Sequence, residues 1–130
     1  TNYKQISITI NSSLKNNVIK CDKNQTFRLF TNLIKNSVES IVEKNENKGK
    51  IEILIQGNHN SVDFLFQDNG VGFELDQMSN ISEPYFTTKQ NGSGLGLSIV
   101  SKIIFEHKGN INFYNSENGA NIHFTFNKYL

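Results

Sequence analysis

The chain has 130 residues, of which 36% are hydrophobic and 19% are charged, and its formal net charge is +1. This balance predicts one folded domain with a core of its own and excludes a disordered chain. The near-neutral charge gives no general attraction to nucleic acid or to anionic membranes, so we expect neither a nucleic-acid partner nor direct membrane contact.

The cysteine content requires no oxidising compartment, and we expect a cytoplasmic domain. Cys21 is the single cysteine, so no internal disulfide can form, and we expect it to be a small apolar residue that is buried or half-buried. The sequence contains neither an apolar run of about 18 residues nor a signal peptide. We treat 1–130 as one domain with a core from about 22 to 128, excised from a longer protein.

The first element has the pattern of a strand. In "QISITI", Ile6, Ile8 and Ile10 alternate with polar residues, which predicts a strand with one buried face. The following "NNVIKC" is a candidate short partner strand.

A long helix is predicted over "TFRLFTNLIKNSVESIVEK", capped near Asp22 or Asn24 and ended by Gly49. At about 100° per residue, one side of this helix is apolar. That side contains Phe27, Phe30, Ile34, Val38 and Ile41.

The second half of the chain contains two predicted hairpins and a helix. "KIEILIQ" and "SVDFLFQD" are joined through "GNHN", and "NINFYN" and "ANIHFTF" are joined through "SENG" with a turn signal at "NG". Between the hairpins, residues 69–94 show no sustained period, and connections of that length are usually functional. A helix then runs from about Leu95 to His107, closed by Gly109. This order predicts an α+β fold with a mixed, mostly antiparallel sheet covered on one face by helices.

A polar stripe follows the long helix on the side away from its apolar residues. Asn32, Asn36, Glu39 and Glu43 are spaced by four, three and four residues. A solvated face explains the two glutamates, but two asparagines one turn apart are less expected, because Asn is a mediocre helix former. Amide oxygens are suitable ligands for Mg²⁺, so this stripe is a candidate magnesium site.

A carboxylate and two glycines follow the second strand of the first hairpin. Asp68 continues the core-facing row of "SVDFLFQD", where a carboxylate needs a hydrogen-bond donor. The exocyclic amine of a nucleobase is one candidate donor, and a backbone N–H of the turn "DNG" is the other. Gly70 and Gly72 allow a sharp turn and the close approach of a flat ligand, although Gly-x-Gly alone is a very weak signal.

Three glycines at alternate positions precede the second helix in "TTKQNGSGLGLSIV". The spacing matches neither a P-loop nor a dinucleotide-binding fingerprint. Backbone N–H groups at a helix N-terminus nevertheless form an anion site, to which Lys89 would add a positive charge and Thr87 and Thr88 hydroxyl donors. A flexible loop that caps a helix fits equally well. Together with the other two sites, however, this stretch completes an inventory suited to Mg-ATP.

The order and spacing of these motifs resemble the ATP-binding catalytic domain of bacterial sensor histidine kinases, in the superfamily shared by DNA gyrase, Hsp90 and MutL. "NLIKNSVES" is similar to the N box, "DNGVGF" to the G1 box, "EPYFTTK" to the F box and "GSGLGLSIV" to the G2 box, and "NGANIHFTF" resembles the closing glycine-strand element. The wording of the boxes resembles the nitrogen-regulation type of sensor kinase. The resemblance implies a two-layer α/β sandwich of the Bergerat type.

The resemblance also implies roles for individual residues. Asn36 would bind Mg²⁺ with Asn32 assisting near the phosphates, Asp68 would accept from the adenine amino group, and Gly70 and Gly72 would line the adenine. A lid would extend from about 72 to 94. The nucleotide contacts of the lid and the glycine stretch would come from Thr87, Thr88, Lys89, Gly92, Ser93, Gly94, Leu95, Gly96 and Leu97. Asn32, Asn36 and Lys89 are the implied catalytic residues.

Asn32 separates this chain from its ATP-hydrolysing relatives. In DNA gyrase, Hsp90 and MutL, a glutamate stands four residues before the magnesium-binding asparagine and activates water. An amide cannot take up a proton at neutral pH, so we expect no efficient ATP hydrolysis. Transfer of the γ-phosphoryl group to a histidine suits the site better, because an imidazole nitrogen attacks without first losing a proton.

The phosphoacceptor histidine is expected on another domain. His59, His107 and His123 lack the sequence context of a phosphoacceptor, and we expect them to be structural or surface residues. The implied partners are the dimerisation and phosphoacceptor domain of the same kinase and a downstream response regulator. The isolated domain is expected to be a monomer, and its parent can be anchored in the inner membrane. Glu39 is also an expected nucleotide-site residue, whose carboxylate would orient a water bound to Mg²⁺, although it departs from many relatives, in which a basic residue faces the phosphates.

Three alternatives remain open from the sequence. A scaffold or sensing module would bind ATP without phosphoryl transfer, and an ATPase clamp would dimerise on ATP. A small α/β domain whose glycines serve only its turns would bind no nucleotide.

Overall fold

The computed structural model describes residues 5–13, 21–44, 48–74 and 96–127. Five strands form one sheet in the order β1-β2-β3-β5-β4, in which β1 is parallel to β2 and the other neighbours are antiparallel. The elements are β1 (Gln5–Ser12), α1 (Lys23–Lys44), β2 (Lys48–Gly57), β3 (Ser61–Asp68), α2 (Gly96–Glu106), β4 (Ile111–Asn115) and β5 (Ala120–Asn127). The predicted hairpins β2–β3 and β4–β5 are confirmed, whereas residues 16–20 of "NNVIKC" lie outside the described residues.

The core lies between the helices and one face of the sheet, as the α+β prediction requires. Alternate residues of β3 and β5 supply aromatic rings to this inner face, and Phe64 and Phe124 stack with their ring centroids 4.9 Å apart. Such a pair contributes about 0.5–1.5 kcal/mol beyond the burial of its area. Neither helix in the described ranges is long and apolar enough to cross a membrane.

α1 begins one residue after Asp22, which is its N-cap. The Asp22 carboxylate Oδ1 accepts a hydrogen bond from the Gln25 N–H at 2.9 Å, and this bond satisfies one of the free donors of the first turn. The predicted stop at Gly49 is wrong, because Gly49 lies within β2. A Cβ at Gly49 would overlap the side chain of Ile41, so glycine lets β2 pass beneath α1.

The buried side of α1 differs from the predicted one. Leu29 and Leu33 are buried, whereas Phe27, predicted to face the core, is 75% exposed. Phe30, Ile34 and Val38 are half-buried against the core, and Ile41 is fully buried. The buried side differs from the predicted side because α1 packs against α2 as well as against the sheet.

The prediction of a buried face on β1 is also wrong. Ile6 packs against the core, but Ile8 is 48% exposed and Ile10 is 61% exposed. β1 is an edge strand, and α1 packs chiefly over β2 and β3. Cys21, expected to be buried, is exposed because it precedes the first turn of α1.

Lys108 and Gly109 have different roles at the end of α2. Lys108 takes the left-handed conformation, with φ of 59°, and the Gly109 N–H donates to the Ile104 carbonyl at 2.9 Å. Gly109, predicted to close the helix, is therefore not its left-handed residue. Glycine is required there because a Cβ would overlap the Thr125 carbonyl oxygen of β5.

Candidate functional site

Two asparagines of α1 face the first residue of α2. A Cβ placed on Gly96 would lie 3.2 Å from the Asn36 Nδ2 and 3.5 Å from the Asn32 Oδ1. The Asn32 Nδ2 donates to the Arg28 carbonyl at 2.8 Å, which orients the side-chain amide. The predicted pair is therefore brought together with the predicted glycine.

This end of the site has the chemistry of an anion site. The first turn of α2 presents backbone N–H groups that have no partner within the helix, and the helix dipole places partial positive charge there. The amide oxygens beside it are hard donors of the kind that Mg²⁺ accepts. Asn32 and Asn36 are both half-buried, and Glu39 lies one turn further along α1, also half-buried.

Asp68 lies at the opposite end of the site and is buried. Its carboxylate Oδ1 accepts hydrogen bonds from the Gly70 N–H at 2.9 Å and from the Ala120 N–H at 3.4 Å. The turn interpretation of Asp68 is thus confirmed. It does not exclude a second role, because a carboxylate has about four acceptor positions on its two oxygens.

The two predicted glycines of this loop serve different purposes. A Cβ on Gly70 would overlap the Ser40 Oγ and lie 2.8 Å from the Ile41 backbone nitrogen, so this glycine lets the loop lie against α1. Gly72 has φ of 79°, a conformation that residues with a side chain rarely adopt.

Two asparagines that the sequence analysis did not identify hold the loop over residues 68–73. Asn69 bridges to β2: its Oδ1 accepts from the Lys50 N–H at 2.7 Å, and its Nδ2 donates to the Lys48 carbonyl at 3.2 Å. Asn115 at the end of β4 bridges to Phe73, accepting from its N–H at 2.8 Å and donating to its carbonyl at 2.7 Å. The "DNG" turn is a local signal for Asn69, but no local signal exists for Asn115, whose partner is 42 residues away.

α1 connects the two ends of the site. The Val71 N–H donates to the Ser40 carbonyl at 3.3 Å, so the loop is bonded to the helix itself. Ser40 follows Asn36 by four residues, which corresponds to about 6 Å along the helix axis. The asparagine pair and the attachment point of the Asp68 loop therefore lie about one helical turn apart along α1.

The remaining predicted site residues lie outside or at the border of the described part of the chain. Gly96 and Leu97 are the first two residues of α2, and both are half-buried. Those outside the described residues are Thr87, Thr88, Lys89, Gly92, Ser93, Gly94 and Leu95.

Comparison with protein families identifies a match to the model described as Histidine kinase-, DNA gyrase B-, and HSP90-like ATPase over residues 21–130. Sporulation kinase A of Bacillus subtilis is 38% identical over 109 residues, which cover 84% of this chain and 16% of that protein. An NtrY-like sensor histidine kinase of Rickettsia conorii is 37% identical over 97 residues, covering 75% of this chain and 16% of that protein. The chain thus spans about a sixth of these relatives.

Among solved structures, the catalytic domain of the histidine kinase ThkA aligns with a TM-score of 0.82 and 32% identity, covering 95% of this chain and 79% of that one. ThkA in complex with the response regulator TrrA aligns with a TM-score of 0.75 and 30% identity, covering 95% of this chain and 34% of that one.

Proposed function

Because this chain belongs to the histidine kinase-, DNA gyrase B-, and HSP90-like ATPase family, we propose that it binds Mg-ATP and donates the γ-phosphoryl group to a histidine on a separate phosphoacceptor domain. It matches a part of a sporulation kinase and of an NtrY-like sensor histidine kinase, and it matches the catalytic domain of the histidine kinase ThkA. The observation that carries the proposal is the convergence of Asn32 and Asn36 on the N-terminus of α2.

The phosphates of ATP bind at this convergence. Backbone N–H groups at the N-terminus of α2 donate to phosphate oxygens, and Gly96 lets the two asparagine side chains lie against the same turn. Asn36 is the proposed ligand of Mg²⁺, with the Asn32 Oδ1 near the phosphates. When bound, Mg²⁺ neutralises part of the negative charge that accumulates during phosphoryl transfer.

The adenine binds at the loop that follows β3. Asp68 accepts from the adenine amino group, and Gly70 and Gly72 line the ring in this proposal. Because Asp68 is buried and already hydrogen-bonded to two backbone N–H groups, its carboxylate is held in one position before the base arrives. A fixed acceptor loses little conformational entropy on binding.

The chemistry is transfer to an incoming histidine rather than hydrolysis. The Asn32 side chain contains no group that takes a proton from water at neutral pH. A histidine nitrogen needs no such base, so the chain has only to hold the phosphates in line and stabilise their charge. Lys89, Thr87 and Thr88 are proposed as further phosphate contacts.

The proposed partners follow from the same chemistry. The acceptor is the dimerisation and phosphoacceptor domain of the same kinase, which then passes the phosphoryl group to a response regulator. A kinase of the matched family has been solved with a response regulator. We propose a cytoplasmic location for this domain, where ATP is available, and a monomer for the domain in isolation.

Titration calorimetry of Mg-ATP into the wild type and the Asp68→Asn variant tests the nucleotide site. Asparagine keeps the Oδ1 that accepts from Gly70 and replaces the second oxygen by a donor, so the turn is preserved while an acceptor is lost. We expect the affinity to fall by about 1.5–3 kcal/mol, or about one to two decades.

Asp63→Asn on the opposite face of β3 is the matched control, and its affinity should equal that of the wild type. An absence of binding by the wild type, with or without Mg²⁺, would contradict the proposed function. Equal affinities for the wild type and Asp68→Asn would remove Asp68 from the site.

A further inference from the structure

Asn115 contacts the loop over residues 68–73 at its last residue, Phe73. Its side-chain amide makes two hydrogen bonds to the backbone of Phe73, at 2.8 and 2.7 Å. Both bonds lie within the usual range for N–H···O contacts, and together they reproduce the pairing of a neighbouring strand. Loss of this side chain leaves one donor and one acceptor of a half-buried residue without these partners.

The same side chain lies against the left-handed glycine of the loop. A Cβ on Gly72 would lie 2.8 Å from the Asn115 Oδ1, so Asn115 and Gly72 are in direct contact. The neighbouring Phe113 packs edge-on against Phe73, with ring centroids 5.9 Å apart. Two residues of β4 therefore hold this end of the loop.

The other end of the loop is held by the same hairpin. The Ala120 N–H donates to Asp68, and a Cβ on Gly119 would overlap the Asp68 carbonyl oxygen. The β4–β5 hairpin thus contacts both Asp68 and Phe73, the first and last residues of the loop. Through these contacts the hairpin sets the distance between the buried carboxylate and the glycine backbone.

We propose that Asn115 is a positioning residue for the base of the nucleotide: by holding Phe73 and Gly72 against the end of β4, it keeps the loop in the conformation that receives the adenine. This inference rests on the proposed function. Asn115 acts on the base and not on the phosphates, because it contacts Gly72 and Phe73, whereas the asparagine pair of α1 lies beside Gly96.

The test compares the affinities of ATP and ADP for the wild type, Asn115→Ala and Asn36→Ala by calorimetry, well below the melting temperature of each variant. We expect Asn115→Ala to weaken ATP and ADP by the same factor, about tenfold for two lost hydrogen bonds of ordinary strength. Asn36→Ala should weaken ATP more than ADP, because it acts on Mg²⁺ and the phosphates. A residue that contributed only to stability would lower the melting temperature and leave both affinities unchanged.

Two further measurements complete the test. Asn112→Ala on the same strand is the matched control, since Asn112 is exposed and should leave binding unchanged. Hydrogen exchange at the Phe73 amide should be slow in the wild type and fast in Asn115→Ala, whether or not nucleotide is present. If the Phe73 amide is released but both affinities stay at the wild-type value, the inference is overturned and the proposed function stands. If the wild type binds neither nucleotide, the proposed function fails, and the role of Asn115 fails with it.

Discussion

At the scale of single residues, the side-chain amides of asparagines and the absence of a Cβ at glycines shape the site. Asn69 makes two hydrogen bonds to the backbone of β2, and Asn115 makes two to the backbone of Phe73. The loop over residues 68–73 is therefore paired at both ends, as a strand would be, without being a strand. Gly70 has the complementary role, because its lack of a Cβ lets the loop lie against the backbone of α1. The position of Asp68 depends on both features.

Gly70→Ala tests the close approach of the loop to α1. The added Cβ would overlap the Ser40 Oγ and lie 2.6 Å from the Ser40 carbonyl carbon, so either the helix or the loop must move. We expect the free energy of unfolding to fall by about 1–3 kcal/mol, as for other overpacked sites. Urea denaturation measures this change. Gly57→Ala, at the exposed end of β2, should cause no loss, and an equal loss in both variants would contradict the packing role of Gly70.

At the scale of elements, the two helices are joined by a buried histidine. His107 lies just beyond α2, and its Nε2 accepts from the Asp22 N–H at 3.2 Å, which leaves Nδ1 to donate to the Ile103 carbonyl at 2.8 Å. Its ring meets Phe126 edge-on, with centroids 5.3 Å apart. The expectation that His107 is structural is confirmed, and these contacts fix its neutral Nδ1–H tautomer.

His107→Ala should therefore destabilise the connection between the helices. The substitution leaves the Asp22 N–H without this acceptor and creates a cavity beside Phe126. We expect a loss of about 2–4 kcal/mol in the free energy of unfolding. His59→Ala, in the exposed β2–β3 hairpin, is the control and should change stability by less than about 0.5 kcal/mol. Nitrogen NMR of the wild-type ring gives an independent check, since protonation at Nε2 rather than Nδ1 would be inconsistent with the observed bonds.

At the scale of the whole molecule, the site is assembled from nearly every element. β2, α1, β4 and β5 all contact the loop after β3, and α1 and α2 together supply the residues proposed to bind the phosphates. The chain's three histidines lie elsewhere: His59 in a hairpin, His123 on β5 and His107 at the far end of α2 from Gly96. The proposed site therefore exists only when the helices are packed on the sheet, and none of the three histidines lies among the residues proposed to hold the nucleotide.

Incubation with ATP labelled at the γ-phosphate tests whether the acceptor histidine lies on another domain. The domain alone should acquire no covalent label, because its three histidines are not expected to be phosphoacceptors. It should also release little phosphate, because Asn32 lacks a basic group that could activate water. Addition of the phosphoacceptor domain of the same kinase should place label on that domain, and replacement of its acceptor histidine is the control. Rapid phosphate release by this chain alone would instead favour an ATPase.

Sequence by itself determined the fold class, the hairpins and the helices, because periodicity, turn residues and motif spacing are local properties of the chain. The proximity of Asn32 and Asn36 to Gly96 followed only from the family resemblance, since these residues are far apart in the sequence. The family resemblance named from the same motifs is confirmed. Only the tertiary structure decided which side of α1 is buried, because that side depends on where α2 packs. The exposure of Ile8 and Ile10 likewise depends on the edge position of β1. The role of Asn115 was decided in the same way, since it acts on Phe73 across 42 residues of sequence, and contacts at that separation exist only once the sheet has formed.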